Sequence, residues 1–246
     1  MGLLLQRLRR DSDETKEDIR YCPVSMGSEI IADPWTPMIL RELVLGNTRF
    51  NEIARGLPGI SRSLLVRRLS HLERTGVIER WPARTGTGSE YRLTPAGQDL
   101  EGVLMALGRW SVNWLYDELR PRDLDPVTLM WWMHRRVVAD AIPSDRVTVE
   151  FNFTAPTPTT IWLVLSPSEV SVCTNYPGFD ADVVVRCPTP VLSAVFNGLE
   201  DWHDQIALGL IEVSGPPRLI RALPRCFSWS PFAPDIRAAE AQFTSG

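Results

Sequence analysis

The sequence predicts a mainly α-helical N-terminal domain followed by a C-terminal α+β domain. Apolar residues recur at helical spacing through most of residues 20–119, and two short alternating segments interrupt that pattern. After a proline-containing joint at 120–126, alternating segments follow one another between proline-rich turns, as is typical of a sheet. We therefore place the two domains at 20–119 and 127–246, and we expect the polar residues 1–19 to form a flexible arm.

The composition of the 246 residues is that of a globular protein, because 44% are hydrophobic and 23% are charged. No apolar run is long enough to span a bilayer, and charges interrupt the N-terminal apolar stretch, so we expect a cytoplasmic protein. The four cysteines lack the spacing of a zinc site or of a disulfide framework, and the three histidines are scattered. We therefore expect no metal ion and no cofactor.

The net charge of −4 conceals an uneven distribution along the chain. Residues 41–92 contain ten arginines and five glutamates, a net charge of +5, whereas residues 120–246 contain ten basic and fourteen acidic residues. A basic window of this kind suits contact with phosphate groups, although a cluster of charges is also commonly only a solvated surface.

Helical spacing and stop signals define the elements of the first domain. We predict five helices, at 25–32, 35–45, 49–55, 61–75 and 95–119. We also predict two strands, at 77–81 and 90–94. Ser61 is expected to cap the fourth helix, and Gly76 to end it. A glycine-rich loop joins the two strands and predicts a hairpin. Two helices joined by a turn and followed by a hairpin are the order of a winged helix-turn-helix domain.

The helix at 95–119 carries more apolar surface than its own domain needs. Its stripe comprises Leu100, Val103, Leu104, Leu107, Trp110, Trp114 and Leu115. A helix with so wide an apolar face requires a partner, and we expect a homodimer.

The helix at 61–75 has two faces of opposite character. Leu65, Leu69 and Leu72 fall within one narrow arc and are expected to face the core. Ser63, Arg67, Ser70 and Arg74 lie roughly opposite, and Arg62 lies at the N-terminal end. This pattern suits a recognition helix in the major groove of DNA, in which Arg67 pairs with guanine and Arg62 or Arg74 contacts phosphate.

The hairpin loop supplies the remaining predicted DNA contacts. Arg84 at its tip is expected to enter a minor groove or to bind phosphate, with Thr85 and Thr87 beside it. Taken singly, each arginine is equally consistent with a solvated surface, so the prediction depends on the order of the helix, the turn and the basic hairpin.

Six motifs occur in order along the first domain. They are Tyr-Cys-Pro-Val at 21–24, Trp-Thr-Pro-Met-Ile-Leu-Arg-Glu-Leu at 35–43, Arg-Phe-Asn-Glu-Ile at 49–53, Leu-Pro-Gly-Ile-Ser at 57–61, Leu-x-Arg-x-Leu at 65–69 and Tyr-Arg-Leu-Thr-Pro-Ala-Gly at 91–97. Over roughly residues 20–118 they resemble the HxlR family of bacterial winged-helix regulators. The resemblance implies a homodimer on a pseudo-palindromic operator. Asp33–Pro34 departs from the family pattern, which usually has glycine before a variable residue and the tryptophan.

Cys22 is a candidate redox sensor, because some relatives carry a sensing cysteine near this place. A sensing thiol must be exposed and have a low pKa. Arg20 is the one cation close to it in sequence, and we favour the alternative that Cys22 is a packed thiol at the start of the fold.

The second domain combines helices with short strands. We predict strands at 146–154, 159–165, 169–175, 181–187 and 211–213, an amphipathic helix at 128–141, and helices near 189, at 201–208 and at 216–224. The segment 181–227 is similar to sterol-carrier-protein-type domains in its Asp-Val-Val-Val, Asn-Gly-Leu, Ala-Leu-Gly-Leu-Ile-Glu-Val-Ser-Gly and Leu-Ile-Arg-Ala-Leu pieces. This resemblance implies a five-stranded sheet whose helices enclose an apolar tunnel.

Aromatic residues are the candidate lining of that tunnel. They are Trp131, Trp132, Phe151, Phe153, Trp162, Phe196 and Trp202. The resemblance implies a fatty-acyl, sterol-like or aromatic ligand. An ordinary filled core explains each of these residues equally simply, and we favour it for any one of them.

No motif of a hydrolase, a metalloprotease or a nucleotide-binding enzyme occurs, and the acidic and histidine side chains at 201–204 suit helix capping. We do not expect an enzyme. The sequence predicts a transcriptional regulator, a repressor, that binds its operator as a homodimer and is controlled by an apolar ligand. The alternative is a lipid carrier whose winged helix serves only for dimerisation or protein contact.

Overall fold

The computed structural model describes residues 22–84, 86–115 and 125–243, the last four of them by their backbone alone. The predicted arm at 1–19 and residues 120–124 of the predicted joint at 120–126 lie outside the described residues. The described residues form two compact units, and the division falls between Ala106 and Leu107, inside a helix. Of the helices in the described ranges, none is long and apolar enough to cross a membrane.

The first unit contains the elements of a winged helix-turn-helix domain. They are α1 (Pro23–Ile31), α2 (Trp35–Val44), α3 (Phe50–Arg55), α4 (Arg62–Arg74), β1 (Ile78–Pro82), β2 (Ser89–Leu93) and the beginning of α5 (Pro95–Trp114). The seven predicted elements are confirmed to within two residues at every end that the structure describes, except that α5 ends at Trp114.

Local side-chain chemistry explains where two of these helices begin. The hydroxyl oxygen of Ser61 accepts a hydrogen bond from the backbone N–H of Leu64 (3.2 Å), which confirms the predicted cap of α4. The Asp33 carboxylate accepts from the backbone N–H groups of Trp35 (3.0 Å) and Thr36 (3.1 Å) at the start of α2. The Asp33–Pro34 departure therefore provides a cap of its own.

The core of the first unit forms where α2, α3, α4 and the hairpin meet. Its fully buried side chains include Ile39, Leu40, Ile53, Leu57, Leu65, Leu69, Leu72, Val77 and Ile78. Leu65, Leu69 and Leu72 of α4 lie in this cluster, as their spacing predicts. Burying each such side chain is worth about 1.5–3 kcal/mol.

The second unit is built on a five-stranded sheet. Its strands are β3 (Val147–Phe153), β4 (Thr159–Leu165), β5 (Val170–Cys173), β6 (Val183–Cys187) and β7 (Glu212–Ser214). They lie in the order β5-β4-β3-β6-β7, and every neighbouring pair is antiparallel except β3 and β6. The predicted number of strands is confirmed.

Helices and two 3-10 turns complete this unit. They are α6 (Pro126–His134), a turn at Ala139–Ala141, α7 (Thr189–Asn197), α8 (Trp202–Ala207), α9 (Pro217–Ala222), a turn at Leu223–Cys226 and α10 (Ala233–Phe243). The sequence did not predict α10. Its residues Ile236 and Ala239 pack with Val112 of α5 in a small separate cluster.

The predicted amphipathic helix at 128–141 is wrong in two respects. The helix ends at His134, after which Val137 pairs with Phe227 in an isolated β-bridge. Seven of its nine residues are buried, so it has no polar face. Tertiary pairing with the distant Phe227 diverts the chain where local spacing would continue the helix.

Candidate nucleic-acid interface

The polar face of α4 points away from the core of the first unit. Arg62, Ser63, Arg67, Ser70 and Arg74 are all exposed, whereas the three leucines on the opposite face are buried. The structure therefore brings the five predicted residues of this helix together on one accessible surface, the shape that a recognition helix requires.

Arg62 is oriented by the preceding helix. Its Nη2 donates a hydrogen bond to Oδ1 of Asn51 (3.2 Å), and its guanidinium carbon lies 5.6 Å from the centre of the Phe50 ring. Both partners belong to α3. Sequence reasoning missed Asn51, because a contact eleven residues away leaves no periodic signal.

Val66 adds an apolar group to this mostly polar surface. Its side chain is 52% exposed, beside the exposed Arg67. An apolar side chain on a groove-facing helix can contact the methyl group of thymine, while an arginine pairs with guanine. The exposed surface of α4 thus offers both kinds of base contact.

The N-terminus of α2 contacts α4 through an ion pair. Oδ1 of Asp33 lies 3.3 Å from Nε of Arg68, with both side chains partly buried. Asp33 also accepts a hydrogen bond from the hydroxyl of Thr36. One carboxylate therefore caps α2 and pairs with α4.

The hairpin places its tip arginine in solvent. Strands β1 and β2 pair in antiparallel register from Ile78–Leu93 to Pro82–Ser89. Arg84 and Thr87 are exposed in the connecting loop, while the predicted contact Thr85 lies outside the described residues. Gly88 has φ +111, a conformation that residues with a side chain rarely adopt.

Glu90 fixes the base of this loop. Its Oε1 accepts from the backbone N–H of Arg84 (3.1 Å), and its Oε2 accepts from Nη2 of Arg92 (2.9 Å). Nη2 of Arg49 lies 3.9 Å from the same carboxylate. The hydrogen bond from Arg92, followed by that from Arg84, lowers the pKa of Glu90. Sequence reasoning read Glu90 only as a strand residue.

Two more arginines lie on the hairpin strands and were also missed. Nε of Arg80 donates to the hydroxyl of Ser89 (2.8 Å), and its guanidinium lies 6.0 Å from the Tyr91 ring centre. Arg92 lies 5.8 Å from the centre of the half-exposed Trp81 ring. These cross-strand contacts hold positive charge on the hairpin surface.

The predicted apolar stripe of α5 is largely uncovered. Val103, Leu107, Trp110, Trp114 and Leu115 are exposed, and Trp114 reaches 72% exposure. Isolated exposed apolar residues are ordinary, but two tryptophans among four such residues on α5, with Leu115 directly after it, mark a surface that needs covering.

The seven aromatic candidates of the second unit do not face a common space. Phe151, Phe153, Phe196 and Trp202 lie in the main core, and Trp132 packs against it. Trp131 is buried with its ring centre 4.2 Å from that of His134. Trp162 alternates with the core residues of β4, and its Nε1 donates to Glu150 (3.0 Å).

A cavity of about 430 Å³ in the second unit has a different lining. Ala141, Arg218, Arg221, Ala222 and Arg225 surround it, and we refer to it as the arginine pocket. It includes none of the seven aromatic candidates.

The cysteines differ in accessibility. Cys22 is exposed and precedes the first residue of α1, contrary to the favoured prediction of a packed thiol. Cys187 and Cys226 are buried, and burial raises the pKa of Cys187 to about 12 and also raises the pKa of Cys226. Within the described ranges, no three His, Cys, Asp or Glu side chains are grouped to hold a metal ion.

The helix-turn-helix and its hairpin define the first unit as a winged helix-turn-helix domain. The family model described as HxlR-like helix-turn-helix matches residues 30–119. An uncharacterized HTH-type transcriptional regulator of Synechocystis is 32% identical over 113 residues, which are 44% of this chain and 81% of that protein. The HTH-type regulator YdeP of Bacillus subtilis is 35% identical over 100 residues, 40% of this chain and 78% of YdeP. The chain belongs to the HxlR-like helix-turn-helix family.

The family match ends at residue 119, so it concerns the first domain. The five-stranded sheet of the second unit begins at Val147, beyond the matched residues.

Proposed function

We propose that this protein is a DNA-binding transcriptional regulator that reads its operator through α4 and the hairpin. The observation that carries the proposal is the exposed face of Arg62, Ser63, Arg67, Ser70 and Arg74, opposite three buried leucines. The excess of arginine over glutamate in residues 41–92 supports contact with phosphate. The names of its relatives as HTH-type transcriptional regulators support the same function.

The proposed DNA-contact residues fall into two groups, those that contact bases and those that contact phosphate. Arg67 projects from the middle of the exposed face and is the proposed partner of a guanine, whereas Arg62, fixed by Asn51, holds the backbone. Ser63, Ser70 and Arg74 flank Arg67 on the helix. In the hairpin loop, Arg84 with Thr85 and Thr87 contacts the adjacent groove or backbone.

A homodimer on a pseudo-palindromic operator is the proposed assembly. The uncovered Trp110 and Trp114 support it, because a second copy would remove both indole rings from water. Such a dimer acts as a repressor in the cytoplasm by occupying a promoter. Trp110→Glu should convert a dimer into a monomer in sedimentation and lower operator affinity. A wild-type protein that sediments as a monomer would contradict the assembly.

Selection from random duplexes tests the DNA-binding proposal directly. The wild-type protein should enrich a sequence with two related half-sites, measured afterwards by fluorescence anisotropy. Arg67→Gln should lose on the order of tenfold or more in affinity for it. Arg84→Gln should weaken binding to all sequences and reduce the salt dependence by about one phosphate contact.

Arg186→Gln is the matched control, because Arg186 is also exposed but lies on β6 of the second unit. The proposal is refuted if the wild-type protein enriches no sequence. It is also refuted if Arg67→Gln and Arg186→Gln lose equal affinity for the selected sequence.

A sterol-carrier-type role for the second domain is the second candidate, either as ligand control of DNA binding or as a lipid carrier. The five-stranded sheet and the helices packed on it support this role. The separation of Trp162 from the buried Phe151 and Phe153 weighs against a single aromatic tunnel. Native mass spectrometry tests it, since a carrier should retain a co-purified apolar ligand. An operator affinity that is unchanged by saturating ligand would exclude ligand control.

A further inference from the structure

The arginine pocket belongs to the second unit and shares no residue with the proposed DNA-binding surface. Arg218 and Arg221 belong to α9, and Arg225 to the 3-10 turn that follows directly. All three are exposed and line the same cavity of about 430 Å³. Their spacing of three and four residues places them on one side of a continuous helical segment.

The backbone under these arginines is held in place by the core. Leu223 and Cys226 are buried in the main cluster of the second unit. Sγ of Cys226 lies 3.4 Å from the carbonyl oxygens of both Ala141 and Ala222, the two small residues that line the pocket, and its single S–H hydrogen is shared between these acceptors. Nη2 of Arg218 donates to the carbonyl oxygen of Pro143. The guanidinium groups therefore project from a fixed frame.

The arginine pocket gathers positive charge in a part of the chain that is acidic as a whole. Residues 120–246 have more acidic than basic side chains, yet three arginines converge here. Within the described ranges, Arg218, Arg221 and Arg225 make no ion pair. Like charges brought together repel one another, and a bound anion would relieve that repulsion.

We propose that the arginine pocket binds a phosphate ester. Guanidinium groups form paired hydrogen bonds with phosphate oxygens, and they stay charged at any physiological pH. The cavity falls within the range of about 300–1,000 Å³ that is usual for small-molecule sites, so it has room for more than a bare phosphate. The methyl groups of Ala141 and Ala222 provide a surface for the uncharged part of the ligand.

Calorimetric titration with phenyl phosphate tests the site, with phenol as the uncharged probe. The full-length wild-type protein should bind phenyl phosphate and not phenol. Arg221→Gln should weaken binding at least about tenfold, which is the loss of one charge-assisted pair. Arg186→Gln, which removes an exposed arginine elsewhere on the same unit, should bind like wild type.

Vesicles of phosphatidylcholine with and without phosphatidic acid identify the source of the phosphate. Cosedimentation that requires phosphatidic acid and is lost in Arg221→Gln assigns a lipid headgroup. Binding of phenyl phosphate alone assigns a soluble ester, and either result supports the proposal.

Chemical modification provides a readout that does not depend on a variant. Phenyl phosphate should protect Arg218, Arg221 and Arg225 from phenylglyoxal in the wild-type protein, as measured by peptide mass spectrometry. The proposal is overturned by absent binding and protection, or by equal affinities of Arg221→Gln and Arg186→Gln. It is equally overturned if Arg221→Gln weakens only the binding of duplex DNA, which would make the pocket a contact for the DNA backbone.

Discussion

Asp33 and Arg68 form an ion pair in which Oδ1 of Asp33 lies 3.3 Å from Nε of Arg68. The same oxygen accepts the backbone hydrogen bonds that start α2. Asp33 thus links the start of α2 to α4. A glycine at residue 33, which is usual in the family that the sequence resembles, has no side chain to provide either contact.

We expect Asp33→Ala to destabilise the first unit. Loss of the cap should cost about 0.5–2 kcal/mol, and loss of the partly exposed ion pair about 0–1 kcal/mol. Asp33→Asn separates the two effects, because asparagine caps helices as well as aspartate does but carries no charge. Urea unfolding measures both variants. A wild-type midpoint in Asp33→Ala would contradict the role of the cap.

Glu90 should make the stability of the hairpin depend on pH. Its pKa is lowered from the ordinary value of 4.5 by the contacts with Arg92 and Arg84, so these contacts favour the folded state when the carboxylate is charged. The benefit is present above pH 4.5 and is lost as the pH falls through the lowered pKa. Melting temperatures of wild type and Glu90→Gln should therefore differ at neutral pH and converge in acid. Glu79→Gln, which alters an exposed residue of β1, is the control. If the melting temperatures of wild type and Glu90→Gln still differ in acid, the charged Glu90 carboxylate is not the source of the stabilisation.

The cysteines should differ sharply in reactivity. At pH 8 a thiol-specific reagent should modify the exposed Cys22 rapidly, whereas the buried Cys187 and Cys226, whose pKa values are raised, should react only after unfolding. Peptide mass spectrometry identifies the modified thiols. Cys22→Ser should remove the fast phase of the modification. The exposure of Cys22 keeps the redox-sensor hypothesis open. If the response of operator binding to oxidant is unchanged in Cys22→Ser, that hypothesis is excluded.

Two glycines of α5 should respond oppositely to alanine. A Cβ at Gly108 would lie 2.2 Å from the Phe232 ring, so Gly108→Ala should destabilise the packing of α5 with its neighbours by about 1–3 kcal/mol. A Cβ at Gly102 meets nothing within 4 Å, and Gly102→Ala should stabilise the helix by about 0.5–1 kcal/mol. Thermal unfolding compares them, and the same sign of change in both variants would be inconsistent with this packing.

Local signals in the sequence determined the elements of the first domain and which face of α4 is buried. Leu65, Leu69 and Leu72 recur at helical spacing, and Ser61 precedes them with a side chain that can cap only the residues just after it. Such signals act within a few residues, and they are therefore readable without knowing the fold. The same spacing placed Arg67 on the exposed side.

Only the tertiary structure decided which distant residues meet. Arg62 donates a hydrogen bond to Asn51, eleven residues away, and Arg68 forms an ion pair with Asp33. The helix α6 ends shortly before Val137, which pairs with Phe227. These contacts depend on how helices and strands pack, which periodicity does not encode. The aromatic candidates show the same limit, because alternation along β3 and β4 buries Phe151 but directs Trp162 to the other face. The arginine pocket arises for this reason too, since Ala141 meets the arginines of α9 only through the folding of the chain.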